Sequence, residues 1–176
     1  MQRFILLLTV FLVNSCQTVK SSFNQHEEKT KINSVLNLWH KAAATTNFDA
    51  YFSKMTSDAI FIGTDASENW DMASFKRFSK PYFDKGKAWS FTPLERHIFF
   101  NGDNTIAWFD ELLDTQMELC RGSGVLELTN QGWKIKHYVL SIAIPNENVK
   151  QVVKDKKKND ILFKESINKN SDLMGF

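Results

Sequence analysis

The chain opens on an unbroken apolar run from Phe4 to Val13, preceded by Arg3 and followed by small polar residues ahead of Cys16. Such a run is about half of the roughly 20 residues that span a bilayer, and its flanks are those of a signal segment removed on export. From Ile32 the pattern changes. Ile32, Val35, Leu36, Trp39 and Ala43 recur at helical spacing and predict a long first helix with one buried face. Asn47 is placed to cap a short second helix carrying Phe48, Tyr51, Phe52 and Met55. A short strand over Asp58 to Gly63 follows, then a third helix from Asp71, its cap, through Met72, Phe75 and Phe78 to Tyr82, with Pro81 in its last turn and Gly86 ending it.

Beyond Gly86 the period drops to two. Strands are expected near 88–100, 105–114, 119–129 and 133–144, separated by Asn101-Gly102-Asp103-Asn104, by Thr115 to Glu118 and by Asn130-Gln131-Gly132. Short turns between consecutive strands make an antiparallel meander. Helices first and strands afterwards give an α+β fold, in which a strongly curved antiparallel sheet wraps around the N-terminal helices to form a cone with an open end. The expected organisation is a signal peptide over 1–15, a tether over 16–26, one domain over 27–147 and a basic, partly helical or mobile tail over 148–176.

Composition narrows the function classes. A chain of 176 residues, 43% hydrophobic, holds one ordinary core, and fifteen Phe with five Trp require that core to be built from rings. The formal net charge of +2 is misleading, because seven lysines against four acids lie between Lys150 and Phe176 and the rest of the chain is slightly acidic. Nucleic acid is excluded as a partner on this basis, since backbone phosphates are held by clustered Lys and Arg. The Lys154 to Lys158 run reads as a solvated segment, with attraction to an anionic membrane as the lesser alternative. His26, His40, His97 and His137 are widely separated and no paired-cysteine spacing occurs, so no metal and no cofactor are expected. Of the two cysteines, Cys120 lies in a strand pattern and is expected to be a buried packing residue.

Val13-Asn14-Ser15-Cys16 resembles the lipobox of bacterial lipoproteins, with Asn14 departing from the usual small or aliphatic residue. The resemblance implies cleavage before Cys16, acylation of its thiol, and a membrane-anchored protein on the periplasmic or outer-membrane side of a bacterial envelope. The stretches Ala88-Trp89-Ser90-Phe91-Thr92-Pro93, Ala107-Trp108-Phe109-Asp110-Glu111, Arg121-Gly122-Ser123-Gly124-Val125-Leu126 and Trp133-Lys134-Ile135 with Tyr138 and Ser141 resemble the SnoaL-like branch of the nuclear transport factor 2-like (NTF2-like) superfamily, over roughly Ile32 to Pro145. That resemblance implies the cone fold, a pocket between the sheet and the long helix, and frequent homodimerisation through the sheet. It implies no single activity, because ketosteroid isomerases, cyclases, dehydratases and transport adaptors share the superfamily.

The site has therefore to be argued from residues. On the strand 105–114, Ile106, Trp108, Asp110 and Leu112 share one face and Ala107, Phe109, Glu111 and Leu113 the other, so each face carries an acid among apolar neighbours. Asp110 is the first candidate for a catalytic base and Glu111 the second, since desolvation raises a carboxylate toward useful base chemistry. A turn centred on Gln116 and Met117 pairs Leu112 with Arg121 and Asp110 with Ser123, which offers Arg121 as a clamp for a ligand carboxylate or as the partner of a structural ion pair. Trp39, Tyr51, Phe61, Trp89 and Trp108 are the pocket-lining candidates, and Tyr138 is a candidate hydrogen-bond donor. Arg121-Gly122-Ser123-Gly124 does not read as a phosphate loop, because no helix N-terminus follows it. Three functions are expected to compete: a small-molecule binding protein, a cofactor-independent isomerase, cyclase or lyase using a pocket carboxylate, and a dimerising interaction module.

Overall fold

A computed structural model describes residues 23–174, with side chains through Lys169. The apolar N-terminal run, Cys16 and the tether as far as Ser22 lie outside the described residues. The first helix, α1 (Gln25–Ala44), starts ahead of its apolar stripe because Asn24 caps it, accepting from the backbone N–H of His26 and Glu27. The last residues of the expected tether are thus structured, and Phe23 packs edge-on against Phe100. Ile32, Leu36, Trp39, His40, Ala42 and Ala43 form the buried face of α1. Asn47 caps α2 (Phe48–Ser53) by accepting from Ala50, and Asp71 caps α3 (Met72–Asp84) by accepting from Ser74. Pro81 sits inside α3, and Gly86 beyond its end has φ 67°, a left-handed conformation that glycine adopts without strain.

The strands are β1 (Met55–Ile62), β2 (Asn69–Asp71), β3 (Phe91–Phe100), β4 (Ile106–Thr115), β5 (Glu118–Thr129) and β6 (Gly132–Ile142). They form one sheet in the order β2-β1-β6-β5-β4-β3. β3 to β6 are the expected meander. The strand expected over Asp58 to Gly63 is β1, which starts earlier and takes in Met55, expected in the second helix, because α2 ends at Ser53. Its pairing was not legible, because it runs parallel to β6 and so joins two elements far apart in sequence. β2, three residues long, was too short for a periodicity signal and pairs antiparallel with β1. Register shifts at Pro93/Glu95 and at Val125/Leu126 bend the sheet, and Pro93, which lacks an N–H, lies on the edge strand β3.

The concave face of the sheet meets α1 and α3, and the core is largely rings. Trp39 stacks on Tyr51 at 5.0 Å between centroids and meets Tyr138 edge-on at 4.8 Å, while Phe61 stacks on Phe75 at 4.1 Å. Trp133 donates its indole N–H to Glu28 at 2.7 Å and so pins the start of α1 to β6. Cys120 is fully buried, as expected for a packing residue. After a short 3-10 turn (Asn146–Asn148) the tail is one continuous helix, α4 (Val149–Met174), which packs on that turn and, among the described residues, has no substantial contact with the domain. No helix among the described residues is long and apolar enough to cross a membrane.

Candidate functional site

Two features inside the cone bear on function, and they are separate. The first is a buried polar network around Glu111. Along β4 the buried residues are Ala107, Phe109, Glu111 and Leu113, so Glu111 points inward and has no exposed surface. Its Oε2 accepts from Arg96 Nε at 2.9 Å and from Arg96 Nη2 at 2.7 Å, and Arg96 faces it directly across the β3–β4 ladder. Oε1 lies 2.9 Å from His40 Nε2 and accepts from the Tyr138 hydroxyl at 2.9 Å. The remaining Arg96 nitrogen, Nη1, donates to Asn33 at 3.0 Å and Asn37 at 2.9 Å, so one polar stripe of α1 (Asn33, Asn37, His40) closes the network from the helix side.

Glycine makes this arrangement possible. Gly122 pairs with Glu111 across β4–β5, and a Cβ there would collide with the Tyr138 hydroxyl and lie 3.0 Å from Glu111 Cγ. Only a residue without a side chain lets the phenol reach the carboxylate. The Gly-Ser-Gly stretch is an inward-facing gap in a strand and has no phosphate-loop geometry.

Burial pushes the Glu111 carboxyl up, but the hydrogen bond to and proximity of His40, together with the Arg96 guanidinium, outweigh it and hold the group below its ordinary value. The Tyr138 phenol is driven well above its ordinary value by burial and by the adjacent Glu111 charge. Glu111 is therefore an ionised acceptor with four short contacts on its two oxygens. A proton-abstracting base needs the opposite: a raised pKa and an oxygen open to substrate. The network is built to hold charge in place.

The second feature is a recess of about 170 Å³ at one end of the cone, between α3, the β1–β2 turn, the α3–β3 connection and the β4–β5 turn. Phe61, Trp70, Phe75, Phe78, Trp89 and Phe91 contribute six rings to its lining, Leu140 and Met117 add aliphatic surface, and Thr64, Gln116 and Glu68 supply polar atoms. The rings brace one another, Trp70 stacking on Phe78 at 4.3 Å and Phe75 lying nearly parallel to Trp89 at 5.9 Å. A larger space of about 680 Å³ lies beside β1 and the β5–β6 turn, but its lining is mostly polar and carries three lysines, of which Lys136 pairs with Asp58 at 2.7 Å and Glu127 at 3.1 Å and Lys134 donates to the Ser53 carbonyl at 2.9 Å. Ligand sites are mostly apolar concavities with few polar groups, a description that fits the aromatic recess and not the larger groove.

The residues singled out in the sequence fall into three groups. Phe61 and Trp89 line the recess. Trp39, Tyr51 and Tyr138 are buried in the ring core and do not line it. Asp110, Trp108 and Arg121 do not face the cone at all. The register pairs Leu112 with Arg121 and Asp110 with Ser123, as the turn at Gln116-Met117 requires, but the face they share is the convex one. Asp110 is 37% exposed there, 3.1 Å from His97 and 3.7 Å from Arg121, and Trp108 is 46% exposed. Asp110 and Arg121 thus form a rim ion pair with His97, whose pKa Asp110 raises, and the first-choice base lies outside the cone. Alternation cannot tell which face of β4 is concave. The signal that would have done so is the run Ala107, Phe109 and Leu113 around Glu111, opposed by the inward glycines Gly122 and Gly124. Arg96, His40, Asn33 and Asn37 were missed because the network that joins them is assembled from four elements, α1, β3, β4 and β6. Among the described residues no cluster of His, Cys, Asp or Glu has the arrangement of a metal site.

Comparison with solved structures finds the same fold at low identity. An NTF2-like protein of unknown function from Pseudomonas putida KT2440 superposes with a TM-score of 0.58 at 11% identity, covering 70% of this chain and 92% of the other. An NTF2-like protein from Cytophaga hutchinsonii gives 0.55 at 15%, covering 69% and 100%. The association domain of C. elegans CaMKII gives 0.54 at 18%, covering 66% and 96%. At such identities only the fold is shared. No curated protein matches the sequence. Residues 32–145 match the SnoaL-like domain, and the chain belongs to that family and has the NTF2-like fold.

Proposed function

We propose that this is an exported, lipid-anchored protein of a bacterial cell envelope that binds a small apolar or amphipathic molecule in the aromatic recess. One observation carries the reading. The cone offers an open, ring-lined concavity, while its one fully buried carboxylate is saturated by Arg96, His40 and Tyr138. Binding is favoured over proton abstraction for that reason, and no cofactor is required. The test is thermal stability of the purified domain against a panel of small hydrophobic and amphipathic compounds. Ligands should raise the melting temperature by mass action. Trp89→Ala and Phe78→Ala should each remove that rise, Phe78 being the safer variant because it is 37% exposed at the rim. Trp108→Ala, on the convex face, should leave it intact. No response to any member of the panel would refute the reading.

Anchoring rests on Phe4 to Val13 and Cys16. Mass spectrometry of the mature chain should find an acylated N-terminal Cys16, and Cys16→Ser should release the protein from membranes; an unmodified Cys16 in the mature protein would refute it.

A homodimer through the convex sheet face accompanies this proposal. Phe99 and Trp108 stack there at 5.9 Å and both are nearly half exposed, with Leu119 and Ile142 exposed as well. Trp108→Glu should convert a dimer to a monomer in sedimentation velocity. A wild-type monomer at tens of micromolar would remove this part of the proposal.

A further inference from the structure

We propose that the recess selects a small organic cation, an alkylated ammonium with a short apolar or hydroxylated tail; this inference rests on the recess being the binding site. Among its lining residues Glu68 is the only ionisable side chain, and no lysine, arginine or histidine joins it. A ligand carboxylate or phosphate would find no countercharge. The expected clamp for such an anion, Arg121, lies on the convex face.

Glu68 is held over the recess by its own turn. Gly63 donates its N–H to the Glu68 carbonyl at 2.9 Å, and Asp65 donates its N–H to Glu68 Oε2 at 3.2 Å. The carboxylate lies so close over Gly63 that a Cβ there would collide with Oε2. Any side chain at position 63 would displace it. Asp65 adds a second acid to this turn, kept below its ordinary pKa by the Ser67 hydroxyl and backbone N–H.

Six aromatic side chains make up most of the rest of the wall, including the indoles of Trp70 and Trp89. Ring faces carry negative quadrupole potential and attract cations, most strongly at Trp and most strongly when water is excluded. A methylated ammonium suits such a wall better than a bare one, because its charge is spread over apolar methyl groups and it gives up little hydration. A volume of about 170 Å³ is below the range of about 300–1,000 Å³ typical of drug-sized ligands, so a compact headgroup with a short tail fits and a multi-ring skeleton does not.

The experiment compares two molecules of one shape and different charge, choline and its neutral carbon isostere 3,3-dimethyl-1-butanol, with butyrate as the anion. Each is titrated into the mature protein by tryptophan fluorescence, which Trp70 and Trp89 report, and by thermal shift. Choline should bind at least tenfold more tightly than the alcohol, butyrate should not bind, and Glu68→Gln should shrink the preference to threefold or less with the melting temperature of the unliganded protein unchanged. Equal or tighter binding of the alcohol would overturn the charge selection and leave an apolar recess standing. Binding of none of these probes, nor of any compound in the wider panel, would overturn both.

Discussion

Replacing Glu111 with glutamine tests the buried network directly. The substitution would keep the shape of the side chain and remove its charge, leaving the Arg96 guanidinium, only 6% exposed, facing a neutral amide. The amide offers one acceptor oxygen where the carboxylate offered two, so either Arg96 or the His40–Tyr138 pair loses its partner. Breaking a buried ion pair by removing one member costs about 3–5 kcal/mol, because the other charge stays behind. For a domain of this size roughly 3 °C is lost per kcal/mol, which gives a fall of about 9–15 °C in melting temperature. Denaturant unfolding followed by tryptophan fluorescence measures the free energy, and near-UV circular dichroism checks that the core stays packed. The pH dependence supplies a second readout. The folded carboxyl titrates below its ordinary value, so between the two pKa values the unfolded chain binds more protons, and stability rises with pH there. The contribution of Glu111 is complete above the unfolded value of about 4.3 and is lost as pH falls through the folded one. In Glu111→Gln that part of the acid limb should flatten. A variant within about 1 kcal/mol of wild type, with an unchanged acid limb, would refute the reasoning. Exchanging both partners, Glu111→Leu with Arg96→Met, should cost less than Glu111→Gln alone, because no charge is then stranded.

Three further outcomes are expected. Gly122→Ala should destabilise by about 1–3 kcal/mol by pushing the Tyr138 hydroxyl off Glu111, and the loss should shrink in a Tyr138→Phe background, measured as a double-mutant cycle in urea. Tyr51→Phe should be neutral or slightly stabilising in calorimetry, since the Tyr51 hydroxyl is buried without a hydrogen-bond partner among the described residues. Deleting residues 149–176 should leave the near-UV melting transition within about 2 °C of the full chain, because α4 packs on the 3-10 turn and not on the core.

Local chemistry was legible in the sequence wherever one residue decides one contact. The caps at Asn47 and Asp71, the two-residue turn at Gln116-Met117 and the meander were readable because each is fixed within four or five positions. β1 pairing parallel with β6 was not, since a parallel partner is set by the path of the whole chain. The site divides the same way. Period-two alternation puts Asp110 and Glu111 on opposite faces, but which face is concave depends on how α1 and α3 cover the sheet. A pattern that ranks Asp110 first has no access to that covering, and Asp110 faces away from the cone. Trp108 does the same, being a large aromatic whose strand position is shared by solvent-facing residues. Glu68 and Trp70 left no signal of their own. The recess they line is assembled from four separate segments, and its rings read in sequence only as general aromatic richness.

The isolation of α4 gives the protein two kinds of melting behaviour. A helix of 26 residues is about 39 Å long and draws its order almost wholly from its own i to i−4 bonds, which in water are of marginal strength. Its amides should exchange with solvent orders of magnitude faster than those of β4 to β6, and its ellipticity should fade gradually on warming instead of collapsing at one temperature. A melt followed at 222 nm would then show a long sloping baseline belonging to the tail, beneath which the cooperative loss of the cone is a separate event. Stability of this domain is best read from its tryptophans, all five of which precede α4 and belong to the helices, strands and connections of the domain.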